Sequence, residues 1–242
     1  MHQGGGVLLA EIDLSEFKMF EDAPYELPEP KALIGVILGG LKEEEKIYGP
    51  VFTSRFIKYA QEFIAQKTGE TPPEGISSLE QLAEYLESTT DKYAYPWCAL
   101  IYAHVLSEVE FHGHTGAATK LLEIGASKVV EKNPSFEQRD VDVDEIMVKL
   151  RETTLAMKVS PKKLGYKKNQ DDSFDILWPE CYYLDACRIL DERGVLKRPD
   201  GRPRCGITAF VCQFFKMVTG YEWDYDSLEA HKPHCVTRCY MI

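Results

Sequence analysis

The chain has 242 residues, of which 44% are hydrophobic and 28% charged, and its formal net charge is −11. A chain of this length buries a sizeable core without needing disulfides or a metal. The acidic balance excludes a nucleic-acid binder that works by neutralising phosphates, and it disfavours docking on anionic membranes. No apolar run reaches the roughly 20 residues that span a bilayer, and the first residues predict no signal peptide.

The front of the chain is predicted to be helical. A short strand or ordered arm is expected at 7–14, and three prolines make 17–30 irregular. Apolar residues then recur at helical spacing. The segments are 31–46, 51–67, 78–89, 95–109, 115–132 and 142–159. Ser78 and Gln81 form a capping-box pattern at the start of the third segment.

The back of the chain mixes strands and helices. Residues 165–178 predict two strands joined by a polar turn, and 221–228 and 235–242 predict two more. Helices are expected at 181–193 and 202–219, with a turn at 199–201 between them. The fold class is therefore α+β, with a helical N-terminal half packed on a small antiparallel sheet with helices. Two units are expected, an N-terminal arm with helices at 1–75 and an α+β small-molecule-binding domain at 76–242.

Cysteine is the least evenly distributed residue type. Cys98 lies in the front half, and the other six of the seven fall in the last sixty or so residues: Cys181, Cys187, Cys205, Cys212, Cys235 and Cys239. An odd count in a chain of this size predicts reduced thiols in a cytoplasmic protein. The open question is whether these thiols bind a metal, react or fill a core.

Spacing limits which cysteines can share one ion. Cys205 and Cys212 are two helical turns, or ~10 Å, apart, whereas zinc ligands lie within ~2.3 Å of the metal. Cys205 at a helix start is the better ligand or reactive thiol, and Cys212 is expected in the core. Cys235 and Cys239 lie ~13 Å apart in a straight strand. If that strand is straight, only Cys235 lies near the preceding loop and Cys239 is a core residue.

Two groups of residues could ligate a metal. The loop before Cys235 adds Glu229, His231 and His234, which together with Cys205 could hold zinc; buried thiols are the alternative. The second group is Glu108, Glu110, His112 and His114, which would face one side of an extended segment but form a polar helix end if the helix continues to Gly113. His104 is expected as a core or pocket group.

The pattern of elements at the C-terminal end resembles a known family. A strand hairpin ends in Phe174-Asp-Ile-Leu-Trp-Pro-Glu-Cys181, Cys205 opens a later helix that ends at Thr219-Gly220, and a Cys-bearing loop precedes the last strand. Over about residues 115–242 this resembles the 4-vinyl reductase domain, a small-molecule-binding α+β domain distantly similar to vesicle-tethering Bet3 proteins. The resemblance implies a zinc set of Cys205, Glu229, Cys235 and Cys239, to which His234 is added here.

The resemblance also implies an apolar pocket for hydrocarbons, aromatics or tetrapyrrole-like molecules. The aromatic residues that could line it, with ordinary core packing as the alternative, are Trp178, Tyr182, Tyr183, Phe210 and Phe214. The leading hypothesis is a cytoplasmic protein that binds an apolar or aromatic molecule, with a cysteine-rich zinc site.

Two other readings stay open. One is a thiol- or metal-dependent enzyme, either similar to the aminothiazoline carboxylic acid hydrolases or an iron–sulfur redox protein. The other is an interaction module in a larger complex. The expected partner is a small apolar or aromatic molecule, and a homodimer is a further alternative. Neither a nucleic-acid partner nor a membrane span is expected.

Overall fold

The computed structural model describes residues 12–29, 31–32, 41–42, 45–90, 96–113, 141–198, 200–230 and 234–242. Most of the predicted segments at 7–14 and 31–46, and all of the helix predicted at 115–132, lie outside these ranges, as do His114 and His231. Within them the chain is α+β, as the sequence predicts. None of the described helices is long and apolar enough to cross a bilayer.

The predicted helices between 51 and 109 and at 142–159, 181–193 and 202–219 are present, with ends that differ by four residues at most. They are α1 Pro50–Thr68, α2 Leu79–Thr90, α3 Pro96–His112, α4 Val143–Ala156, α5 Leu184–Glu192 and α6 Gly206–Thr219. Ser78 and Gln81 form the predicted capping box, since Ser78 Oγ accepts from the Gln81 N–H at 3.2 Å and Gln81 Oε1 from the Ser78 N–H at 3.3 Å. Gly220 ends α6 at a φ of 76°.

The predictions that helices begin at 181 and 202 were wrong. Residues 181–183 form a turn in which the Leu184 N–H donates to the Cys181 carbonyl. Pro203 pairs instead with Lys197 in an isolated β-bridge. Cys205, the N-cap residue, is still extended at φ −125° and ψ 110°, so α6 begins at Gly206.

In the described part of the chain the sheet has five antiparallel strands, in the order β1-β2-β3-β5-β4. They are β1 Lys18–Met19, β2 Gly165–Lys168, β3 Phe174–Trp178, β4 Trp223–Glu229 and β5 Cys235–Met241. The four later strands confirm the sequence prediction. The first corrects it, because 17–30 was expected to be irregular throughout and Lys18–Met19 pairs with β2. In the centre of the sheet, Trp178 lies opposite Cys235.

The described residues form two large hydrophobic cores. The helical core is built from α1, α2 and α3 with parts of α5, and its largest buried side chains include Phe52, Phe56, Phe63 and Tyr102. The sheet core lies between the sheet, α4 and α6 and includes Phe174, Phe214 and Phe215. α1, which precedes the unit boundary expected between residues 75 and 76, packs along α3, which follows it.

Candidate functional site

A small hydrophobic cluster joins the two cores. Trp97 and Tyr183 are its buried members, and the side chains packed on them include Ile101, Cys181, Tyr182, Cys187 and Ile207. We call this cluster the junction. Ile101 and Cys187 also pack against the helical core, and Cys181 and Ile207 against the sheet core. The junction is therefore a layer through which the helical core and the sheet core contact each other.

Local backbone structure positions the junction residues. Trp97 lies in the first turn of α3, a helix that buries most of its residues because it packs against both α1 and α5. Tyr182 and Tyr183 lie in the turn between β3 and α5, with ring centroids 4.4 Å apart. The Cys98 thiol donates to the Tyr182 carbonyl at 3.0 Å and so ties α3 to this turn.

Cys205 is the N-cap residue of α6, although its side chain makes no capping hydrogen bond, and it packs against the sheet core. Its backbone N–H donates to the Tyr225 hydroxyl at 3.1 Å, and its Sγ accepts from the Thr208 hydroxyl at 3.2 Å. The preceding loop is anchored on β4, where Arg198 and Arg202 lie 2.7 and 2.6 Å from the Asp224 carboxylate. These contacts fix the position of the first turn of α6.

One face of α6 lies on one face of β5. Thr208 and Thr237 share a hydrogen bond of 2.8 Å, and one helical turn further on the Cys212 and Cys239 sulfurs are 3.6 Å apart. Cys212 and Cys239 are both buried. The strand through Cys239 is continuous, so Cys239 is a core residue, as the straight-strand alternative predicts, and so is Cys212.

Four of the five predicted zinc ligands fall into three separate contacts. Glu229 and His234 pair with each other at 2.6 Å. Cys205 is held by Thr208, and Cys239 lies in the core beside another thiol. Among the described residues no group of three or more His, Cys, Asp or Glu side chains could hold a metal ion. In this arrangement Cys205, Glu229, His234, Cys235 and Cys239 do not fit one tetrahedral zinc, for which the ligands must converge within ~2.3 Å of the metal.

The thiols around the junction are neutral. Burial raises the pKa of Cys98 to about 11. Burial, followed by the neighbouring thiol of Cys205, raises the pKa of Cys181, and burial raises the pKa values of Cys187 and Cys239 well above the ordinary range. For Cys205, burial raises the pKa although hydrogen bonds from Thr208 oppose it. Since the thiolate is the nucleophile, none of these five thiols is activated near neutral pH.

A buried polar triad lies beside Cys205. Arg204 Nη1 donates to Glu108 Oε2 at 3.2 Å, and His104 Nε2 lies 3.2 Å from Glu108 Oε1 without hydrogen-bond geometry. All three side chains are buried, and Glu108 is fully so. The i,i+4 spacing of His104 and Glu108 shows in the sequence, but no sequence signal indicates Arg204 as their partner.

Glu108, Glu110 and His112 lie on a helix, not on an extended segment. Glu108 points inward to the triad, whereas Glu110 pairs with Arg55 at 3.2 Å at the surface. The His112 ring packs edge-on against Tyr48. The helix ends at Gly113, as the polar-helix-end alternative predicts, so Glu108, Glu110 and His112 do not form one metal site.

The predicted ligand-binding aromatics lie in two places. Tyr182 and Tyr183 belong to the junction. Trp178, Phe210 and Phe214 belong to the sheet core, where Phe214 is fully buried and Phe210 only partly. The junction residue Trp97 is the aromatic that sequence reasoning missed, because its position in an apolar helix resembles ordinary core.

Comparison with protein-family models, with curated proteins and with solved structures found no match to this chain.

Proposed function

We propose that the protein binds a small apolar or aromatic molecule at the junction, in the manner expected of a 4-vinyl reductase-like domain. The observation that carries this proposal is the placement of Trp97, Tyr182 and Tyr183 in a layer between two cores. Ligand sites occur preferentially between packed units and are lined by aromatic and apolar side chains with a few polar groups.

The chemistry of the junction supports an uncharged ligand. Burial raises the pKa values of Tyr182 and Tyr183 above the ordinary tyrosine range, so both phenols stay neutral. With the thiols of Cys98 and Cys181 also neutral, these four side chains offer aromatic faces and polarisable sulfur without a net charge. Such a surface favours an aromatic molecule through stacking and sulfur–aromatic contacts.

Zinc or an iron–sulfur cluster is a separate prediction. The described side chains do not converge on one ion, so the proposed ligand binding does not depend on a metal. Elemental analysis of the purified protein, with Cys205→Ser and Cys235→Ser variants, tests it. One equivalent of zinc that both variants lose would support the site, and iron with sulfide would support the redox alternative.

The thiol hydrolase is the weaker alternative. Its best nucleophile is Cys205, at the N-terminus of α6, but burial raises the pKa of this thiol. A catalytic cysteine ordinarily has a lowered pKa and a neighbouring base. The raised pKa therefore weighs against Cys205 as the nucleophile of a covalent reaction.

Titration with naphthalene tests the proposal, with binding followed by quenching of tryptophan fluorescence and by thermal stability. We expect saturable binding of one equivalent, lost in Tyr183→Ala. Tyr221→Ala is the matched control, because Tyr221 is 56% exposed and outside the junction. Absence of saturable binding, or equal binding by both variants, would contradict the proposal.

A further inference from the structure

The three tryptophans of the chain differ in the hydrogen bonding of their indole N–H groups. Trp223 Nε1 donates to Thr219 Oγ1 at 3.0 Å. Trp97 Nε1 and Trp178 Nε1 are buried and have no hydrogen-bond partner within the described part of the chain. The two residues are 1% and 3% exposed, so water does not reach their donors from the surface.

Unpartnered buried donors of this kind are rare in folded proteins. The great majority of buried side-chain polar atoms have a partner, because a buried donor without an acceptor loses its hydrogen bond to water. Trp223 shows that this fold can supply an acceptor for a buried indole. Thr53 Oγ1 and Ser107 Oγ in the described part of the chain also lack a partner. What sets the two indoles apart is that the hydrophobic clusters to which they belong both include Cys181 and Ile207.

The positions of the two orphan indoles connect them to the junction. Trp97 is a buried member of the junction itself. Trp178 belongs to the sheet core, which shares Cys181 and Ile207 with the junction. Trp178 is the last residue of β3, three residues before Cys181, and lies directly opposite Cys235. Both donors thus belong to clusters that meet at the same two side chains.

We propose that the ligand of the junction carries a carbonyl group, whose oxygen accepts hydrogen bonds from Trp97 Nε1 and Trp178 Nε1. The ligand class is an apolar or aromatic ketone, aldehyde, ester, amide or quinone. This inference rests on the proposed function and specifies the substrate class of the same site.

A neutral acceptor fits better than a carboxylate. Burying an anion away from water is costly unless a cation pairs with it. Arg204, the buried cation next to Cys205, is already paired with Glu108. The phenols and thiols at the junction are neutral as well. A carbonyl oxygen satisfies the two donors without introducing an unpaired charge.

The test compares two probes of nearly equal shape. In 2-acetylnaphthalene the side group is a carbonyl, and in 2-isopropenylnaphthalene a methylene replaces the oxygen. For the wild-type protein we expect the ketone to bind about 10-fold more tightly, the ratio that ~1.4 kcal/mol of hydrogen bonding gives. Isotope-edited infrared spectroscopy should show the carbonyl band of the bound ketone at a lower wavenumber than in hexane.

Matched variants assign the effect to the donors. Trp97→Phe and Trp178→Phe keep an aromatic ring but remove the N–H, so each should lower the preference for the ketone severalfold. Trp223→Phe is the control, because the Trp223 indole N–H already donates to Thr219. This variant should prefer the ketone by the same factor as the wild-type protein. If one variant fails to fold, the other variant and the infrared band still test whether the indole N–H groups bind the carbonyl oxygen.

Each outcome has a defined meaning. Equal binding of the two probes by the wild-type protein, or an unshifted carbonyl band, would overturn the carbonyl inference and leave the proposed function standing. A preference that survives in both Trp97→Phe and Trp178→Phe would also overturn it. If neither probe binds, the proposed function fails and the inference fails with it.

Discussion

Replacing Glu108 by Gln should destabilise the protein strongly. Glu108 is fully buried and accepts from Arg204 at 3.2 Å, with His104 on its other oxygen. The substitution preserves shape but leaves the Arg204 guanidinium buried without a counter-charge. Removing one partner of a buried ion pair costs about 3–5 kcal/mol, which for a chain of this size lowers Tm by roughly 6–20 °C.

Glu110→Gln is the matched control on the same helix. Glu110 pairs with Arg55 over the same distance of 3.2 Å, but the two side chains are 36% and 43% exposed. An exposed pair contributes about 0–1 kcal/mol. Urea unfolding followed by circular dichroism measures both variants. Equal losses of unfolding free energy in Glu108→Gln and Glu110→Gln would refute the reasoning that burial determines how much an ion pair stabilises the protein.

A double variant separates charge from packing. Combining Glu108→Gln with Arg204→Met removes both charges, so the buried cation no longer lacks a partner. We expect the double variant to recover stability relative to Glu108→Gln alone. A double variant that is less stable than Glu108→Gln would show that the Arg204 side chain stabilises the fold through contacts other than the ion pair.

Three further predictions concern single contacts. Burial alone would raise the pKa of Asp224, but hydrogen bonds from its two arginine partners hold it at about 2. The ionised carboxylate therefore stabilises the folded protein above pH ~4, and this stabilisation is lost as the pH falls towards 2. The difference in unfolding free energy between the wild type and Asp224→Asn should shrink over that range. Native-state labelling with iodoacetamide at pH 7 should be slow at Cys98 and Cys205, because burial raises the pKa of both thiols; fast labelling of Cys205 would instead favour the hydrolase alternative. Thr208→Val should lower the unfolding free energy measured in urea by about 1–3 kcal/mol, because it leaves the buried Thr237 hydroxyl without its partner. Adding Thr237→Val should restore part of this lost stability. A double variant whose loss of stability equals the sum of the two single losses would contradict this prediction.

The regular elements could be predicted from the sequence because their signals are local. The helical spacing of Phe52, Phe56 and Phe63 predicts α1, and all three are buried as expected. The alternation of Tyr and Trp with acids predicts β4. By contrast, the helix start predicted at 202 failed because Pro203 pairs with Lys197, a contact outside the local pattern.

The site was harder to predict, because it depends on contacts between distant segments. Sequence spacing left Cys239 open between a zinc ligand and a core residue on a straight strand, and nothing in the sequence showed that its neighbour would be Cys212. The Arg204–Glu108 pair joins residues 96 positions apart. The missing hydrogen-bond acceptors of the Trp97 and Trp178 indoles can be recognised only from the positions of the polar atoms around each buried donor.

The most direct test of ligand binding at the junction is a titration of ¹⁵N-labelled protein with 2-acetylnaphthalene, followed through the three indole N–H resonances in NMR spectra. We predict that the Trp97 and Trp178 resonances shift and saturate together at one equivalent, whereas the Trp223 resonance, already bonded to Thr219, stays in place. Three unmoved resonances, or equal non-saturating shifts of all three, would contradict binding of a carbonyl ligand at the junction.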